Sequence, residues 1–221
     1  MCRWPDRARD RLAALPFVAF AAFATVGLVR LARDEAFSFR HAVTLSSGIE
    51  VLNTILLAAF LVLQAILALI RVPPQGRAVG VVPRLVAVAS MACGFLLLAV
   101  GRTAPDVPRN LVALILSVIG TCGAIATLIW LGRAFSIFPQ ARQLVTAGPY
   151  RLVRHPLYLM ESVGFLGICL QFQLPWSLAV FLVSLGLQLT RIGFEEDVLV
   201  HTFPAYAAYR QRTWRLLPLL Y

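Results

Sequence analysis

The sequence predicts an all-α integral membrane protein with four transmembrane helices, a C-terminal helical hairpin and a cytoplasmic interfacial tail helix. Three observations predict it. Of 221 residues, 60% are hydrophobic and only 14% charged, with a mean hydropathy of +0.81, which is far more apolar sequence than a soluble domain of this length needs. Apolar runs of membrane length recur between short polar segments. The arginines, finally, are concentrated in alternate connections, which orders the runs across a bilayer.

The elements follow in order. Residues 1–11 carry Arg3, Arg7, Arg9 and Arg11, and an apolar run over 12–29 comes next. It lacks a convincing cleavage site and further spans follow, so it reads as a retained helix rather than a signal peptide. Residues 30–50 read as a polar connection of mixed charge and 51–70 as a second span. A loop with Pro73-Pro74 leads to a third span over 85–101, where Ala92 and Gly94 allow close packing. A turn over 102–110 precedes the fourth span, 111–131, with Gly120 and Gly123 as packing glycines. The runs 157–172 and 176–190 are separated by Gln173-Leu174-Pro175. As helices each reaches about 24 Å, slightly short of a hydrocarbon core of about 30 Å, and a hairpin fits them. Residues 191–221 are charged, aromatic and amphipathic, as expected of a helix lying on or beside the membrane. The chain thus divides into N-terminal transmembrane helices, 1–131, and a catalytic region, 132–221.

With the N-terminus inside, segments 1–11, 71–84, 132–156 and 191–221 hold fifteen of the twenty arginines. The positive-inside rule therefore places the polar loop 132–156 and the charged tail together on the cytoplasmic side. Every basic residue is Arg and none is Lys, a pattern expected of codon bias that, with the short tail, points to a bacterial inner membrane. The net charge of +10 does not indicate nucleic acid, because the arginines form no stripe or aromatic-interleaved patch. Cys2, Cys93, Cys122 and Cys169 lack CxxC spacing and read as small packing residues. His155 has no second His or Cys at ligand spacing, so no metal site is expected.

The pivotal stretch is 144–158, LVTAGPYRLVRHPLY. Gly148-Pro149 marks a turn, and Pro156 suits the first turn of a following helix. Arg151, Arg154 and His155 then stand at the positive end of that helix, where an anionic group is favoured. The same residues, with Tyr150 and Tyr158, also suit a positively charged membrane loop with interfacial tyrosines. Glu161, one turn into the helix, implies either a polar cavity or a position near the interface. In the tail, Arg191 and Glu195 share a helical face. Three consecutive acids, Glu195, Glu196 and Asp197, directly after an apolar run would be repelled by headgroups, and the arginines of the loop are a ready counter-charge.

Leu144-Val145-Thr146, Gly148-Pro149-Tyr150, Arg154-His155-Pro156-Leu157-Tyr158 and Glu195-Glu196, in this order and spacing, resemble the isoprenylcysteine carboxyl methyltransferases and their phospholipid N-methyltransferase relatives. The resemblance covers residues 130–218. It implies a membrane enzyme that uses S-adenosylmethionine, held between the loop and the tail by Gln143, Leu144, Val145, Tyr150, His155, Pro156, Tyr158 and Glu195. It further implies that Arg191 meets the substrate, with Arg154 as a second candidate for gripping a carboxylate in a planar fork. Two positions depart from the pattern: Arg142 replaces a common His, and Phe203-Pro204-Ala205-Tyr206 is shorter and less acidic than usual. The expected acceptor is a lipophilic or prenylated small molecule entering from the bilayer, most naturally a carboxylate, which is already ionised and needs no general base. A nicotinamide-dependent membrane reductase of the sterol-reductase kind is a second reading. A non-enzymatic transport or assembly protein is a third, although the spans before residue 132 carry few of the polar residues it would use. The oligomeric state is not written in the chain.

Overall fold

The computed structural model describes residues 10, 12–41, 45–101 and 107–218. It is helical: α1 (Leu15–His41), α2 (Leu45–Ile70), α3 (Val82–Ala92), α4 (Val107–Leu131), α5 (Pro156–Cys169), α6 (Trp176–Thr202) and α7 (Ala205–Arg212). A 3-10 segment, Cys93–Ala99, continues α3. Two short strands, β1 (Gly76–Arg77) and β2 (Gln140–Ala141), pair antiparallel and tie the loop after α2 to the loop after α4.

Three stretches are long and apolar enough to cross a membrane: Gly48–Ile70, Val107–Ala134 and Trp176–Thr202. Leu15–Arg30, Val82–Leu97 and Pro156–Cys169 are apolar but shorter. The protein is therefore an integral membrane protein built of helices. Several expected boundaries differ. Residues 30–50 do not form a polar connection, because α1 continues to His41 and α2 starts at Leu45. No glycine or proline interrupts 28–47, so the mixed charges there decorate a helix instead of breaking it. The third apolar run stays α-helical only to Ala92 and then tightens into the 3-10 segment.

The tail is the largest correction. It does not begin a separate interfacial helix at residue 191, since α6 runs unbroken from Trp176 to Thr202 and the first proline after the turn is Pro204. Arg191 and Glu196 are buried on this helix by partners from other segments. Only the short α7 follows. The arginine-bearing residues 1–9 and the turn residues 102–106 lie outside the described residues.

The helices meet most closely between α4 and α5, where glycines replace side chains. A Cβ added to Gly167 would stand 2.5 Å from the Ala113 carbonyl oxygen and 2.5 Å from the Ser117 nitrogen. One added to Gly120 would fall inside the backbone of Gly164. Gly120 is thus a packing glycine, as expected, and small residues here let two backbones touch. Beside this seam Phe17, Leu67, Ala68, Ala124, Leu128, Phe135 and Leu157 form one apolar cluster joining α1, α2, α4, α5 and the intervening loop.

A buried ionic clamp holds the start of the chain to that loop. Asp10 accepts from Arg71 Nε at 3.0 Å and from Arg142 Nη2 at 2.9 Å. Arg142, 1% exposed, also donates to the Val72 carbonyl and, at 2.6 Å, to Gln140 Oε1. Burial pushes the Asp10 carboxyl up, but the two guanidiniums outweigh it and hold the group below its ordinary value. A carboxyl depressed on folding contributes stability that is present above its unfolded pKa of about 3.9 and lost as pH falls through the folded value. Asp10→Asn should therefore lower the thermal midpoint at neutral pH, and the gap from the natural protein should close as the pH drops below about 4. An unchanged gap at low pH would show that the carboxylate charge is not what stabilises the clamp.

Candidate cofactor and acceptor site

The loop before α5 is shaped by local chemistry first. Gly148 has φ +60°, and a Cβ there would meet the Trp130 ring at 2.6–2.8 Å; glycine is the residue that tolerates both conditions. Residues Gly148–Arg151 make a 3-10 turn, and α5 begins at Pro156, whose fixed φ suits the first helical position. Between them the backbone is stitched to the C-terminal segment. Arg154 N donates to Trp214 O at 2.8 Å, His155 N to Arg215 O at 3.2 Å, and Trp214 N to Leu152 O at 3.1 Å. The loop and the residues beyond α7 are thereby one unit.

Glu196, 4% exposed, is the ionic centre of that unit. Arg154 Nε lies 2.7 Å from it, Arg215 Nε 3.1 Å and His155 Nε2 3.4 Å. The Tyr206 hydroxyl donates to it at 3.2 Å. Arg154 also donates to the carbonyls of Arg210 and Thr213. Its guanidinium is committed to holding loop, α6 and C-terminal segment together. Burial and the Glu196 charge push the Tyr206 phenol up, so it remains a donor.

Glu195, the preceding residue of α6 and so rotated by about 100° around the helix, faces a different space. Its carboxylate accepts from the Tyr158 hydroxyl and lies 3.4 Å from Arg191 Nε. Arg191 stacks over the Tyr158 ring at 5.1 Å. Its Nη2 donates to Ile137 O at 2.7 Å and, more weakly, to Ser136 O at 3.4 Å. Tyr209 donates to the Tyr150 carbonyl at 2.7 Å. Burial, then the Glu195 charge, pushes the Tyr150 phenol far up, and burial takes Tyr209 up to about 12. Both stay neutral aromatic walls.

These groups border one cavity of about 820 Å³. Gln143, Leu144, Val145, Tyr150, His155, Tyr158 and Glu195 line it, with Arg154 and Arg191. Of the residues expected to form the site, Pro156 alone is not among the lining residues; it is buried and acts from behind by starting α5. The opposite half of the cavity is apolar and belongs to the first part of the chain, with Phe17, Phe20, Leu57 and Phe60 in its wall. Sequence reasoning set Glu196 against the loop arginines, as Arg154 shows, but missed Arg215 and Tyr206 as its further partners and the part played by Tyr209. It also missed Ser162 and Gln188, which line the cavity from α5 and α6. Gln188 carried a usable signal, being a polar side chain inside an apolar run.

A sequence model described as phospholipid methyltransferase matches residues 108–206. The cobalt-zinc-cadmium resistance protein CzcN of Cupriavidus metallidurans is 37% identical over 78 residues, 35% of this chain and 36% of that protein. The nickel-cobalt-cadmium resistance protein NccN of Alcaligenes xylosoxydans xylosoxydans is 32% identical over 82 residues, 37% of this chain and 38% of that protein. The similarity thus spans well under half of either relative. The family match covers α4, the loop, α5, α6 and the start of α7, which are the elements that carry the polar half of the cavity. Residues 108–206, just under half of the chain, thus match the phospholipid methyltransferase family, which belongs to the isoprenylcysteine carboxyl methyltransferase-type group of membrane methyltransferases.

Proposed function

We propose that this protein is an S-adenosylmethionine-dependent methyltransferase acting on a lipophilic acceptor. The observation that carries the proposal is the single cavity, in which the family's polar residues face an apolar chamber walled by α1 and α2. The residues present suit the cofactor. Glu195, partly exposed to the cavity, is an acceptor for ribose hydroxyls or an amino group. Leu144 and Val145 offer an apolar surface, and Tyr150 and Tyr158 offer aromatic faces to a cation. His155 lines the same space, its ring oriented by Glu196, which lies 3.4 Å from Nε2. When bound, the cofactor supplies an electrophilic methyl group on a sulfonium. The chain itself contributes alignment and exclusion of water.

Arg154 and Arg191 serve the site through the two glutamates they hold. A carboxylate acceptor such as a prenylcysteine would need Arg191 as its cation, yet its Nη2 and Nε already face Ile137, Ser136 and Glu195. That makes a carboxylate the weaker candidate acceptor. The arginine distribution supports a site on the cytoplasmic face of a bacterial inner membrane. The relatives' names suggest testing whether loss of the gene sensitises cells to cobalt, zinc or cadmium.

Titration calorimetry of the detergent-solubilised protein with S-adenosylmethionine, beside NADPH, tests the reading. Binding of the nicotinamide but not the sulfonium would return the reductase. Glu195→Gln should weaken S-adenosylmethionine binding by about 1.5–3 kcal/mol, the cost of a lost charged hydrogen bond. An unchanged affinity in a variant with an unchanged thermal midpoint would remove Glu195 from the pocket.

A further inference from the structure

We infer that Glu161 is the proton-accepting catalytic residue of this site, and that the acceptor is a lipophilic amine or alcohol whose nucleophilic atom arrives bearing a proton. The inference rests on the methyltransferase reading and names its substrate class. Glu161 lies on α5, one turn after Tyr158, and lines the cavity where its polar half meets the apolar one. An acid at membrane depth is costly and is retained where it has polar company or work to do. Its hydrogen-bond partners here are neutral amides. Gln64 Nε2 of α2 approaches Oε1 at 3.4 Å and Gln188 Nε2 of α6 approaches Oε2 at 3.3 Å, while Ser162 Oγ donates to Gln188 Oε1 at 2.5 Å.

Three features follow from this arrangement. The serine orients the Gln188 amide so that its NH2 points at Glu161, and Gln64 brings a second NH2 from another helix. Both contacts are at the long end for hydrogen bonds. An ionised carboxylate has about four lone-pair positions, so Glu161 keeps strong acceptor capacity toward the cavity. Arg191 and Glu195 are charged groups within electrostatic reach, and neither ion-pairs with it directly. A second carboxylate brought into this space would meet Glu161 as a like charge. An X–H group would meet it as a hydrogen-bond acceptor.

The step balances as follows. The X–H bond of the acceptor breaks and its proton goes to the Glu161 carboxylate. The lone pair left on X forms the new bond to the methyl carbon of a methylsulfonium donor. The methyl carbon–sulfur bond breaks, its electron pair staying on sulfur as a neutral thioether. Glu161 later returns the proton to water.

The test uses dodecylamine, dodecanol and dodecanoate, which share one alkyl chain. Displacement of a fluorescent lipid from the cofactor-free protein should rank the amine or the alcohol above dodecanoate. Glu161→Gln, which keeps the shape, should weaken that preferred ligand about tenfold or more and abolish the discrimination. With S-adenosylmethionine added, Glu161→Gln should bind the cofactor as before but transfer methyl about a hundredfold more slowly. Glu161→Asp, which keeps the charge at shorter reach, should retain discrimination in binding and part of the transfer; it also serves if the Gln variant does not fold. Which of the amine and alcohol is methylated separates the N–H source from the O–H source. Preference of the natural protein for dodecanoate, methylation of none of the probes, or undiminished binding and transfer in Glu161→Gln overturns the inference. Failure of the natural protein to bind S-adenosylmethionine overturns the methyltransferase reading instead, and the cofactor-free binding data tell the two failures apart.

Discussion

Glu196→Ala is expected to destabilise the protein by about 3–5 kcal/mol, the cost of removing one member of a buried ionic network. Arg154, His155, Arg215 and Tyr206 all converge on this carboxylate. Without it two guanidiniums are left facing each other in a buried space. Because Arg154 also holds the carbonyls of Arg210 and Thr213, the loop and C-terminal segment should loosen together. Thermal unfolding in detergent, followed by tryptophan emission, reads the loss, and S-adenosylmethionine binding should fall with it. Glu196→Gln should recover only part, since an amide accepts hydrogen bonds but cannot neutralise the arginines. A loss below about 1 kcal/mol, typical of exposed pairs, would show that water already screens the cluster.

The second large effect lies at the α4–α5 seam. Gly167→Val should cost about 3 kcal/mol or more, at the upper end of overpacking losses, because the atoms a Cβ would strike are backbone: Ala113 O and Ser117 N, each at 2.5 Å. Backbone cannot rotate away, so α4 and α5 must separate. Gly123→Ala is the matched control. Its Cβ would meet the side chain of Met160, an unbranched and adaptable neighbour, and should cost far less. Equal losses in the two variants would mean that the helices are free to shift.

The helical membrane architecture was legible because apolar content and run length follow directly from bilayer physics, and the loop was legible because Gly148, Pro149 and Pro156 act on their own backbone. Gln143, Leu144, Val145, Tyr150, His155, Tyr158 and Glu195, which line one cavity, were legible because their order in the chain is a resemblance that survives without coordinates. What was not legible depended on partners distant in sequence. The pairing of the tail acids with loop arginines was legible, and Arg154 does hold Glu196, but the burial of Glu196 by Arg215 and Tyr206 and of Arg191 against Ile137 was not, which is why α6 runs on past the expected end at residue 190. Asp10 and Arg142 are 132 positions apart, and neither carries a local signal of the other.

The unbroken course of α6 has a consequence for how the protein meets lipid. At 27 residues it is about 40 Å long, and Glu195 stands about 29 Å along it from Trp176. That interval nearly equals the thickness of a hydrocarbon core, about 30 Å. With Trp176 seated at one boundary, Glu195 and Glu196 arrive at the other. A thinner bilayer would lift them into water, and a thicker one would draw them toward acyl chains unless the helix tilted. Bilayer thickness is therefore a variable of this site in its own right, set by lipid composition and transmitted along a single helix.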